Sequence, residues 1–148
     1  MRYRFIDRVS DFRPNEYFRG LKVVSFEEYD LKSSLGQASL FPPVLLTECL
    51  FQAAYWLEVL SSDFKNCALF SSFDKLCITD SIRPGSRASI EINVFNREKD
   101  FLYFNGAVTQ NSIEIASISN ACAEIRNLAD YDDPDDLKTL FSEIQKNA

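Results

Sequence analysis

The run from Phe41 to Ser62 is the longest apolar stretch of the chain, and it limits the fold more than any other segment. It is too long for a strand, and its apolar residues occupy every side of a helical period instead of one stripe. A helix that is apolar nearly all round belongs inside a core. Pro43 suits its first turn, where no backbone N–H is needed, and Ser61-Ser62-Asp63 marks its exit. A membrane span is not expected, because Glu48, Gln52 and Glu58 interrupt the run and it falls short of about 20 apolar residues. Glu48 and Gln52, four apart, share one face of this helix. A buried carboxylate is costly unless it is paired or used, so Glu48 is the first candidate for chemistry.

On either side of the helix the pattern changes to alternation. Residues 2–13 and 17–26 read as two strands joined by a turn at Pro14-Asn15-Glu16. Residues 27–40 have no clear period and read mostly as a loop leading into the helix. After the helix, residues 67–78, 87–96, 101–109 and 113–126 read as four strands. Turns at Arg83-Pro84-Gly85-Ser86, Arg97-Glu98-Lys99-Asp100 and Gln110-Asn111-Ser112 separate the later ones. Ile90, Ile92 and Val94 share a face of the 87–96 strand, and Phe101, Tyr103, Asn105, Ala107 and Thr109 share one of the 101–109 strand. Short turns imply a mostly antiparallel sheet. Two strands, one buried helix and four strands make an α+β layer fold, with a central helix wrapped by a curved sheet. The edges of such a sheet commonly join two chains into a dimer.

Residues 1–128 form this domain, and residues 129–148 read as an acidic helical tail. From Asp130 to Asp136 the tail is acidic; from Leu137 to Lys146 its apolar residues have the spacing of a short amphipathic helix. Asp132 or Asp133 can cap that helix, Pro134 suits its first turn, and the acidic start complements the helix dipole. A solvated segment is the plainest expectation, with docking on the sheet or on a partner as the alternative.

Composition narrows the chemistry. A net charge of −6 argues against a nucleic-acid role. The first eight residues carry charges where a signal peptide is apolar, so a cytoplasmic location is expected. Cys49, Cys67, Cys77 and Cys122 form no Cys-x-x-Cys pair, and the chain has no His. A zinc site is not expected, and the four cysteines read as buried free thiols. The absence of His also removes the usual general base near neutral pH.

Several segments in order resemble the 3-hydroxyacyl-acyl carrier protein dehydratases, which have the hot-dog fold. Phe5-Ile6-Asp7-Arg8-Val9 is similar to their opening strand and Leu21-Lys22-Val23-Val24-Ser25 to the second. The helix entry from Phe41 to Ala54 resembles their Met-Pro-Gly-Val-Leu-x-x-Glu-Ala-x-x-Gln-Ala-Ala. Phe73-Asp74-Lys75, followed by Arg83-Pro84-Gly85-Ser86, resembles their third strand and its Pro-Gly-Asp turn. The resemblance implies removal of water from a 3-hydroxyacyl thioester, without a cofactor. In that family a His takes the α-proton and a Glu or Asp on the helix of the other subunit handles the leaving hydroxyl. Backbone N–H groups at the helix N-terminus polarise the thioester carbonyl. The acyl chain lies in an apolar tunnel at the dimer interface.

Carried onto this chain, Glu48 takes the acid position, acting in trans, and Gln52 takes the helix Gln. The His position falls on Ser34, which is no base without another base beside it. Leu35-Gly36-Gln37 replaces the Phe-Pro-Gly that follows the family's His. The helix-entry Gly is Pro43, which has no N–H to donate. Phe41, Pro43, Gln52 and Phe73 are the expected substrate contacts, while Phe51, Tyr55 and Trp56 divide between core and tunnel. Cys49, mid-helix in an apolar run, reads as packing. Arg2, Arg4, Arg8, Arg13, Arg19, Arg83 and Arg87 are candidates for meeting an acidic carrier if they cluster.

With a base and a donor both missing, the expected function is that of a catalytically impaired dehydratase homologue in fatty-acid or polyketide assembly. It would bind acyl chains or acyl carrier protein, as a homodimer or as a heterodimer with an active dehydratase subunit to which it lends Glu48. Two alternatives are an acyl-thioesterase in which Glu48 activates water, and a structural interaction subunit with a filled tunnel. In the latter case Glu48 is only a carboxylate held by Gln52 or, across an interface, by Arg83.

Overall fold

The computed structural model describes residues 4–24 and 42–146. Alternating apolar residues build seven strands: β1 (Arg8–Arg13), β2 (Tyr17–Val23), β3 (Asn66–Ser72), β4 (Lys75–Ile78), β5 (Arg87–Arg97), β6 (Phe101–Gln110) and β7 (Ile113–Asn127). They form one antiparallel sheet in the order β1-β2-β5-β6-β7-β3, with β4 also paired to β7. Two tight turns use positive φ, at Asn15 between β1 and β2 and at Asn111-Ser112 between β6 and β7. Two such residues in a row suit a two-residue hairpin whose twist matches that of its strands. The central helix α1 (Val44–Ser61) lies in the concavity of this curled sheet, and a C-terminal helix α2 (Pro134–Lys146) follows a short 3-10 turn at Leu128–Asp130. This is the expected α+β hot-dog architecture.

Alpha1 is long and apolar enough to cross a membrane by length and composition. Here most of its apolar residues are covered by protein, while Val44 at its start is exposed. Leu46, Leu50, Ala53, Trp56 and Leu57 meet Ile90, Ile92, Leu102, Phe104 and Val108 from the inner face of the sheet. Phe101, Tyr103, Asn105, Ala107 and Thr109 share the opposite face of β6, away from this core. Gly106 sits where the helix comes closest. A Cβ there would lie 3.0 Å from Leu50 Cδ2, 3.0 Å from Ile92 Cγ2 and 3.1 Å from the Glu91 carbonyl oxygen.

Four expectations need correction. The strand expected over 67–78 is two strands. Beta3 pairs one end of β7, from Asn66 opposite Asn127 to Ser72 opposite Cys122. Beta4 pairs the other end, from Lys75 opposite Ser119 to Ile78 opposite Ala116. The break falls at Asn120, whose φ is 51° and whose amide donates to Asp74 at 2.9 Å. Beta1 begins only at Arg8; the described residues before it are irregular, though Ile6 is fully buried. Cys49 and Cys67 are buried free thiols as expected, but Cys77 is exposed and Cys122 is half-buried, because they lie on β4 and the outer part of β7.

The tail, finally, is packed. Leu137 and Ile144 enter the main core, and Phe141 lies 6.1 Å from both the Trp56 and Phe64 rings. Asp133 Oδ1 accepts the Asp135 N–H at 2.8 Å, as a helix-start cap does. The amphipathic spacing thus finds its apolar partner within the chain.

Candidate functional site

Steps of three and four along α1 place Val44, Leu45, Glu48, Phe51, Gln52 and Tyr55 on the side of the helix away from the main core. Together with Phe5, Ala68, Leu69, Phe70 and Asp132 they line a cavity of about 580 Å³, the size of a small-molecule site. Its aromatic wall is continuous. Phe51 and Phe70 stack at 4.0 Å, and Phe73, outside the cavity, lies 5.8 Å from Phe70. Beta3 ends the sheet, so its outer edge has no strand beside it among the described residues. Phe70 and Phe73, at 40% exposure each, lie on this open side.

Glu48 is exposed, contrary to the expectation of a buried carboxylate. The sheet wraps the other side of α1, leaving Glu48 at the cavity. Its apolar surroundings still push its pKa upward, and a hydrogen bond with the Gln52 side chain opposes this. Gln52 is itself buried, and its Oε1 accepts the Phe5 N–H at 2.9 Å. That bond orients the amide, leaving its NH₂ for Glu48. A carboxyl with a raised pKa and a fixed neighbour suits proton donation.

The buried carboxylate on this helix is Glu58, which sequence reasoning passed over as a mere interruption. Its Oε2 lies 2.8 Å from Arg97 Nη1. The contact is ionic by distance but poorly angled for a hydrogen bond, and Arg97 Nε and Nη2 also lack acceptors among the described residues. Cys49 is fully buried and burial pushes its thiol up to about 12, so it is no nucleophile.

The helix entrance matches the reading of Pro43 in part. Pro43 stands just before the first helical residue, as the cap and not within the first turn, and no side chain caps the helix. Leu45 N–H donates to the Pro42 carbonyl at 2.9 Å and Leu46 N–H to the Pro43 carbonyl at 3.0 Å. Those two donors are therefore not available to a substrate carbonyl. Pro43 and Phe73 do not line the cavity, whereas Gln52 does. Ser34, Leu35-Gly36-Gln37 and Phe41 lie outside the described residues.

Tyr55 and Asp132 were not foreseen as a pair. The Tyr55 hydroxyl donates to Asp132 Oδ2. Burial and then the neighbouring Cys67 thiol raise the pKa of Tyr55. Tyr55 was legible as the next position on the Glu48 stripe; Asp132 was not, because only the docking of the tail brings it there. Trp56 is wholly core.

Three of the candidate arginines converge. Arg4, Arg8 and Arg87, with Asp7, Leu21 and Val23, line a depression on the sheet's outer side. Arg13 lies 5.0 Å over the Tyr17 ring, while Arg19 pairs with Glu91 at 3.3 Å and Arg83 with Asp80 at 3.4 Å. Arg83 is thus engaged within its own chain. Among the described residues, no cluster of His, Cys, Asp and Glu is suited to hold a metal ion.

No family model matches the chain. The 3-hydroxyacyl-acyl-carrier-protein dehydratase FabZ of Vibrio cholerae serotype O1 is 29% identical over 127 residues, covering 82% of this chain and 83% of that protein. Solved structures share the fold at lower identity. The fluoroacetyl-CoA thioesterase FlK matches with a TM-score of 0.62 at 14% identity, covering 88% of this chain and 97% of that one. The dehydratase heterocomplex ApeI:P from Xenorhabdus doucetiae matches with a TM-score of 0.61 at 14% identity, covering 93% of this chain and 88% of that one.

Proposed function

We propose that this chain is a divergent, His-less member of the hot-dog 3-hydroxyacyl-acyl-carrier-protein dehydratase family, similar to FabZ over most of its length, and that it works in the cytoplasm as one subunit of a two-chain dehydratase. It binds an acyl thioester in the cavity beside α1 and lends Glu48 to a His-bearing partner. The observation that carries this reading is the placement of Glu48. It stands at an apolar cavity of about 580 Å³ beside β3, whose outer edge has no strand paired to it among the described residues. A second chain on that edge would border the cavity that Glu48 lines.

In such a site the partner's His accepts the α-proton, the double bond forms between the α and β carbons, and the carbon–oxygen bond at the β carbon breaks. Glu48, whose raised pKa favours the protonated form, gives its proton to the departing hydroxyl, which leaves as water. Pro43 has no N–H, and Leu45 and Leu46 donate to their own chain, so the partner supplies the carbonyl donors that these three positions do not. Arg8 and Arg87, with Arg4, which also pairs with Glu143 at 3.8 Å, offer a basic surface to an acidic acyl carrier protein in fatty-acid or polyketide assembly. The heterocomplex among the fold neighbours is itself described as a dehydratase.

The test is to co-express the chain with a His-bearing dehydratase-like protein, purify the complex and measure hydration state at the β carbon. Glu48→Gln in this chain alone should slow the complex by about 10²-fold or more. An active complex that keeps its full rate with that substitution would sink the shared site. A second reading draws on the same carboxyl, because activating water for thioester hydrolysis needs no imidazole. Thiol release from acyl thioesters by the isolated chain, abolished by Glu48→Ala, would establish that reading instead.

A further inference from the structure

The cavity has a polar end that an ordinary alkyl chain would not need. Tyr55 lies seven residues beyond Glu48 on the same stripe of α1, about 10 Å along the helix axis at 1.5 Å per residue. Its hydroxyl donates to Asp132, and both residues line the cavity. The lining from β3 and Phe51 is apolar: Ala68, Leu69, Phe70 and the stacked Phe51 ring. Asp132 is held there by the tail, whose Leu137, Phe141 and Ile144 pack against the core. A terminal methyl pressed against this carboxylate would strip water from it and return no hydrogen bond, which is unfavourable.

We propose that Tyr55 and Asp132 form a subsite for a neutral hydrogen-bond donor, a hydroxyl or phenol, at the distal end of the acyl chain. The inference rests on the acyl-binding reading given above and names the substrate class. Tyr55 directs its proton to Asp132, so what the pair presents to a ligand is acceptor oxygen. A carboxylate offers about four acceptor positions and so accommodates a ligand donor beside Tyr55 and its other contacts. A neutral donor suits the apolar lining from Phe51, Ala68, Leu69 and Phe70, because a cation paired with Asp132 beside it would still lose much of its hydration.

The experiment uses two non-hydrolysable acyl-pantetheine thioethers of equal, medium length, one ending in a methyl group and one in a hydroxyl. Both are titrated by calorimetry into the full-length chain, in whatever complex it purifies with. The hydroxyl-ended ligand should bind about tenfold more tightly, the effect of one added hydrogen bond. Asp132→Ala should bring the two within about twofold by weakening only the hydroxyl-ended ligand. Tyr55→Phe, which removes a single oxygen and serves if the first variant does not fold, should reduce the preference about threefold. Equal binding of both ligands by the unaltered chain overturns the subsite while leaving the acyl cavity standing. A preference that survives both substitutions does the same. Failure of both ligands to bind overturns the acyl-binding reading, and the subsite with it.

Discussion

Two glutamates on one helix show how burial and chemical use diverge in this molecule. Glu58 is almost wholly enclosed, with Arg97 at 2.8 Å as its counter-ion. Glu48 is exposed, has an amide for a neighbour, and has its pKa raised by apolar surroundings. The enclosed residue is held against its counter-ion and away from the cavity. The open residue borders a cavity. Depth in the core therefore marks the structural carboxylate here, and the one suited to proton transfer is the one the sheet leaves uncovered.

The contrast is broken most strongly on the Glu58 side. Arg97→Ala strands a buried charge and should destabilise the chain by about 3 kcal/mol, the low end for such pairs because Arg97 is partly exposed. For a chain of this size that lowers Tm by roughly 10 °C. Replacing Glu58 and Arg97 together by leucine should recover most of the loss, since the pair is poorly angled and apolar substitutes are often neutral. A double variant as unstable as Arg97→Ala would show that the ion pair itself is strongly favourable.

Next comes Glu48→Gln, with the opposite profile. Its effect on stability should stay within about 0.5 kcal/mol, while turnover of the proposed heteromeric complex falls about 10²-fold, some 2.7 kcal/mol of transition-state stabilisation. Unfolding curves and single-turnover rates on one preparation separate the two. Gln52→Leu should then cost about 1–2 kcal/mol by leaving the Phe5 N–H without its acceptor. It should also raise the Glu48 pKa further, since the hydrogen bond that lowers it is gone; carbon-detected NMR titration reads that directly.

The smallest effect is in pH dependence. The folded Glu48 pKa lies above its unfolded value, so the folded chain holds that proton more tightly. The associated stability is present below the unfolded pKa and is lost as pH rises through the folded one. Relative to the parent chain, Glu48→Gln should therefore gain stability between acid and neutral pH, by less than about 0.5 kcal/mol because the group is exposed. A relative loss over that range would contradict the assigned direction.

Hydrophobic periodicity made α1 and most strands legible, since Ile90, Ile92 and the run from Leu45 to Leu60 announce which sides are covered. It did not distinguish Glu48 from Glu58, because a helix apolar on all sides gives no hint of which side the sheet encloses. The division of 67–78 was hidden for a related reason: it depends on the backbone of Asn120 on another strand. Asp132 was unreadable as a cavity residue, because its position is set by where Leu137 and Ile144 dock and not by its neighbours in sequence. The base position at Ser34 came through resemblance and lies outside the described residues.

Gly106 carries a consequence for how such a protein diversifies. With Leu50 and Ile92 already 3.0 Å from where its missing side chain would begin, any larger residue at 106 would push the helix off the sheet and towards the cavity on its other side. Changes in ligand size that leave the helix seat untouched can come from the opposite bank, at Ala68, Leu69, Phe70 or the segment bearing Asp132. Lineages that need a roomier or narrower chamber have that bank free to vary, while the glycine anchors the scaffold they vary upon.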